Sequence, residues 1–132
     1  MTISPDIRIH TVISHWLPVI VYCLLIFIQS SYPASDSLPA FPYADKLAHA
    51  GGYALLGFLF YRAYRTTGVK NRMVALLVIS ALSAAAYGFS DEFHQYFVPS
   101  RTADILDALA DAAGGVLGAV SAQIFFHRSQ AP

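Results

Sequence analysis

Three short stretches of the chain place ionisable side chains where a helix would align them. In "YADKLAHAGGY", Asp45, His49 and Tyr53 recur every fourth residue, so one helical face carries a carboxylate, an imidazole and a phenol, with Lys46 beside them. In "SDEFHQ", Glu92 and Gln95 are three apart, as are Asp91 and His94. In "RTADILDALAD", Asp104, Asp107 and Asp111 follow Arg101 at spacings of three and four, an acidic stripe along one face. Carboxylates with an imidazole can do general acid–base work or hold a divalent cation. His49 and Glu92 are the residues that would carry a catalytic step. His49, Glu92, Asp107 and Asp111 are the donors that zinc, manganese or magnesium would accept. Spacing alone does not decide between these. No H-E-x-x-H occurs, and "DEFHQ" sets its Glu and His two apart, on different helical faces.

These residues must be positioned by apolar segments. Of the 132 residues, 56% are hydrophobic and only 12% charged, and a mean hydropathy of +0.52 is too high for an ordinary soluble domain of this size. The expectation is one all-α domain over 1–132, an integral membrane bundle of four transmembrane helices. These run roughly over 15–31, 46–61, 73–89 and 105–126, each near the ~20 residues that cross ~30 Å of hydrocarbon. Pro33, Pro39 and Pro42 make the first connection a loop, since each lacks a backbone donor and disfavours helix in the residue before it. Pro18 is expected in the first turn of its helix, where a missing N–H is harmless. A secretory signal peptide is the rival reading of the first segment, but no A-x-A cleavage site follows it. The single cysteine, Cys23, can form no internal disulfide. Zero net charge without a basic, aromatic-laced block excludes a nucleic-acid partner.

Charge asymmetry predicts orientation. Arg62, Arg65, Lys70 and Arg72 crowd the second connection, which the positive-inside rule assigns to the cytoplasm, and four spans then put both termini there too. Asp36, Asp45, Asp91, Glu92, Asp104, Asp107 and Asp111 fall on the outer side. Acids spaced along membrane helices are costly unless they face a bundle interior or a wet cavity. An outward-facing polar pocket is therefore expected from Asp45, Lys46, His49, Tyr53, Glu92, His94, Gln95, Arg101, Asp104, Asp107 and Asp111, with Lys46 and Arg101 as the compensating cations. Small pairs at four-residue spacing, Ala108 and Ala112, Gly114 and Gly118, Gly115 and Ala119, would let the fourth helix pack closely. The same ion pairs could serve packing alone.

"DKLAHAGGYALLG" and "DEFHQYFVPSRTADILDALADAAGGVLG" together resemble the VanZ-like family of small bacterial membrane proteins. The matching positions are Asp45, Lys46, His49, Tyr53, Glu92, His94, Gln95, Arg101, Asp104, Asp107 and the glycines from Gly114 to Gly118. The family usually has Asn where this chain has Asp111. An ionised carboxylate only accepts hydrogen bonds, so Asp111 must be protonated, paired with a cation or wet. The resemblance implies a multi-pass protein of the bacterial cytoplasmic membrane, with relatives linked to resistance to the glycopeptide teicoplanin. It implies no settled reaction. One expected function is an envelope protein whose pocket binds a lipid, a lipid-linked wall precursor or a drug-like ligand. The other is a membrane-embedded hydrolase or transferase acting on a lipid-linked phosphate at the outer leaflet. A proton or ion pathway would need polar groups on the inner half as well.

Overall fold

Each apolar run folds as one helix. The computed structural model describes residues 5–33, 41–99 and 101–129, with side chains from residue 9 onward. Asp36 and Pro39 lie outside the described residues. Among the described residues the chain is all α-helix, in the order α1 (Pro5–Ser30), α2 (Ala44–Tyr64), α3 (Met73–Gln95) and α4 (Ile105–Arg128). The extended Asp104 caps α4, its carboxylate accepting the Leu106 N–H at 2.9 Å.

Two boundaries differ from the sequence expectation. The third helix runs through Gln95 instead of stopping near Phe89. Its last turns bury Asp91, Glu92 and Gln95, and partners inside the bundle offset the polarity that argued for a loop. The first helix starts at Pro5, which puts Pro18 in the helix interior and not in its first turn. A proline there cannot donate to the carbonyl four residues back, Ser14 O. Arg62 Nη1, from the end of α2, donates to that oxygen at 3.3 Å.

Among the described residues, three helical segments are long and apolar enough to cross a membrane, Ile9–Ser30, Met73–Gln95 and Ile105–Arg128. The 21 residues of α2 reach about 32 Å at 1.5 Å per residue. Asp45, Lys46, His49 and Arg62 keep α2 below the same apolarity, and like α3 it packs against all three other helices. Its most extensive contact is with α4. There the small residues matter. A Cβ on Gly114 would be driven into the Ala50 carbonyl, one on Gly118 into the Ala54 carbonyl, and one on Gly57 into Gly115. The two backbones therefore touch directly, as small residues permit between membrane helices. On the other side, a Cβ on Gly115 would meet Ala84 of α3 at 2.8 Å.

The first helix touches only α2 and α3. It is tied by phenols, with Tyr22 donating to Gly52 O at 3.0 Å and Tyr87 to Cys23 O at 2.6 Å. Ile13, Leu17, Ile20, Leu24 and Ile28 stay exposed along it, as do Val78 and Leu82 on α3 and Leu117 and Val120 on α4. An apolar outer surface around a polar interior is what a lipid environment selects.

Candidate functional site

The close contact of α2 with α4 brings the ionisable residues of both helices to one end of the bundle. Lys46 Nζ is 2.7 Å from Asp104 Oδ2, 2.7 Å from Asp107 Oδ1 and 2.9 Å from Asp45 Oδ2. One ammonium thus serves three carboxylates. The hydrogen bond from Lys46 holds the Asp104 carboxyl below the usual carboxylate range.

One turn further along α2, His49 faces α4. Its Nδ1 is 2.9 Å from Asp111 Oδ1 and its Nε2 is 3.8 Å from Asp107 Oδ2. A carboxylate accepts only, so the ring N–H points to Asp111. Asp111 is fully buried. Gly88 of α3 makes room for it, since a Cβ there would fall 2.7 Å from the Asp111 Cβ. The third wall comes from α3. Glu92 Oε2 accepts the backbone N–H of Asp104 at 3.0 Å, which fixes the start of α4 against the end of α3. Gln95 Nε2 donates to Asp91 Oδ2 at 2.9 Å and lies 3.5 Å from Glu92 Oε1. Donor atoms of His49, Glu92 and Asp111 all lie within 4.8 Å of one another. Asp107, the fourth donor expected from sequence, falls outside that group and pairs with Lys46.

Two expected members turn elsewhere. Arg101 does not face the acids. Its Nε donates to Tyr32 O at 2.8 Å and its Nη2 to Gln29 O at 3.0 Å. Helix ends leave carbonyls without intrahelical donors and carry partial negative charge, so the end of α1 competes for this cation. His94 faces α1 as well, with Nε2 3.0 Å from Ser31 Oγ and its ring against Phe27. Sequence reading missed Ser30, whose hydroxyl donates to Asp91 at 2.6 Å. A serine in an apolar helix gives little signal until its partner helix is known. Among the described residues, the Tyr53 hydroxyl and Asp111 Oδ2 are buried without a hydrogen-bond partner, while the buried Asp107 Oδ1 has the Lys46 ammonium at 2.7 Å.

The opposite end of the bundle is basic. Arg65 lies over the Phe126 ring at 4.2 Å, beside a polar cavity of about 350 Å³ lined by Tyr61, Lys70, Asn71, Gln123 and His127. The phenol of Tyr61 donates to Gln123 there. Leu56, Ala84 and Ala119 are buried between the two ends.

The sequence model of the family described as VanZ/LLP1 matches residues 15–126. An uncharacterized protein of the fission yeast Schizosaccharomyces pombe is 27% identical over 108 residues, which is 82% of this chain and 63% of that protein. The chain therefore spans less than two thirds of the length of that curated relative. No solved structure matches.

Proposed function

The chain belongs to the VanZ/LLP1 family, and from that premise we propose an accessory protein of the bacterial cell envelope that binds an amphiphilic ligand at its acidic end. The ligand class is a membrane lipid or a lipid-linked wall precursor, with glycopeptide resistance as the phenotype. One observation carries the reading: three helices with lipid-facing flanks bring His49, Glu92 and Asp111 together at one end, next to Lys46 and its acids. Ionisable groups held at membrane depth mark sites. The basic residues at the other end orient the acidic end outward, with both termini in the cytoplasm of a multi-pass protein.

The experiment is thermal unfolding of the purified protein in detergent, with phospholipids, lipid-linked wall precursors and teicoplanin added in turn. A ligand that binds only the folded chain raises its stability by mass action. Stabilisation of wild type by one of these, lost in Glu92→Ala, supports the reading; no stabilisation by any of them overturns it. A reporter fused after Arg128 tests the topology and should read as cytoplasmic.

A second reading is a membrane-embedded hydrolase or transferase acting on a lipid-linked phosphate. The orientation of His49 favours it, since a ring nitrogen held by a buried carboxylate leaves the other free to accept a proton. Glu92→Gln should then abolish turnover of a lipid-linked diphosphate while the protein stays folded.

A further inference from the structure

We propose that His49, Glu92 and Asp111 form a divalent-cation site. This goes beyond the ligand reading above, and either can fail without the other.

The three residues come from α2, α3 and α4 and offer donor atoms all within 4.8 Å of one another. Ligand atoms each about 2.0–2.2 Å from one zinc stand about 3.3–3.6 Å apart in a tetrahedron, so small side-chain adjustments would bring these three onto a common ion. Glu92 is 6% exposed and Asp111 0%. Two buried carboxylates side by side need positive charge, and the nearby cations are committed elsewhere. Lys46 is held by Asp45, Asp104 and Asp107, and Arg101 by the carbonyls ending α1. An imidazolium at His49 would balance only one of the two. A divalent ion with neutral His49 balances both.

A second, independent observation points the same way. The Tyr53 hydroxyl is buried without a hydrogen-bond partner and sits one helical turn beyond His49 on α2. A buried phenol that gives up its hydrogen bond to water normally finds another partner. Asp111 Oδ2 is likewise unpartnered. If Asp111 were simply protonated, the proton on that oxygen would have no acceptor. A metal ion satisfies the Asp111 oxygen directly, which a proton does not. One nitrogen and two carboxylate oxygens suit zinc or manganese better than calcium, which takes six to eight oxygens. Three protein ligands leave a coordination position open. An anionic headgroup could bind there despite the surplus of acids around it.

The test uses the full chain purified in detergent. Metal analysis should find stoichiometric zinc or manganese. Chelation with EDTA should lower Tm by about 10 °C, the shift expected when an ion at a hundredfold excess over its Kd is removed, and adding back Zn²⁺ or Mn²⁺ should restore it. Cobalt loading should give a visible ligand-field spectrum. Asp111→Asn and His49→Ala should weaken binding at least about a hundredfold, whereas His127→Ala, at the opposite end of the bundle, should bind as wild type. Wild-type protein that holds no metal, and shows neither a Tm response nor a cobalt spectrum on loading, overturns the site. The wild-type measurements decide even where a variant fails to fold. Loss of every lipid or glycopeptide response with the metal response intact would sink only the ligand reading.

Discussion

His49 Nδ1 stands 2.9 Å from Oδ1 of the fully buried Asp111, so the contact between α2 and α4 is pinned by a polar pair at one end and by backbone-on-glycine packing below it. The two kinds of contact depend on each other. The glycines bring the helices near enough for the pair to form, and the pair gives buried charge a partner.

Replacing Asp111 separates hydrogen bonding from charge. Asp111→Asn keeps an oxygen for the His49 N–H, whereas Asp111→Ala leaves that donor buried and unpaired, at about 1–3 kcal/mol. In chelator-treated protein, Asp111→Asn is expected to unfold no lower than wild type and Asp111→Ala several degrees lower. Equal Tm values for the two variants would refute the pairing.

The glycines should not be interchangeable. A Cβ at Gly118 would enter the Ala54 carbonyl, while one at Gly51 meets nothing within 4 Å. Gly51→Ala should be neutral or stabilise by up to about 1 kcal/mol. Gly118→Ala should destabilise by at least about 1–3 kcal/mol, the range for overpacking a close contact. Folded yield in detergent and the unfolding midpoint of each variant provide the comparison.

Lys46 is the shared counter-ion of Asp45, Asp104 and Asp107. Lys46→Met should cost stability, chiefly by stranding the Asp107 carboxylate, whose side chain is 12% exposed. Adding Asp107→Asn should recover at least about 1 kcal/mol of it, the sign of direct coupling. A strictly additive double mutant would mean that Lys46 and Asp107 do not interact.

Arg62 should matter only because residue 18 is proline. Arg62→Ala removes the donor to Ser14 O and should cost about 1 kcal/mol. On a Pro18→Ala background the helix supplies its own donor. Arg62→Ala should then be nearly silent, and an unchanged cost there would show that Arg62 acts in some other way.

The range of the forces involved separates what the residues dictate locally from what the packed bundle adds. Four apolar runs, an acidic stripe at three- and four-residue spacing and small residues along the last helix are local patterns. Helical periodicity alone places Asp107, Asp111 and the glycines on usable faces. For that reason the all-α bundle, membrane character and family were legible from sequence. Helix ends were less so. Pro18 lies inside α1 and "SDEFHQ" inside α3 because partners on other helices, Arg62 for Ser14 O and Ser30 for Asp91, offset what each segment would pay alone. Only tertiary structure assigned the cations. By sequence Lys46 and Arg101 were equivalent counter-ions; in the fold Lys46 meets three acids, while the exposed carbonyls ending α1 take Arg101. The same holds for His49, Glu92 and Asp111. Each helix aligns its own residue by rotation, but the distance between residues on three helices is set by how closely the backbones approach, which no single segment encodes.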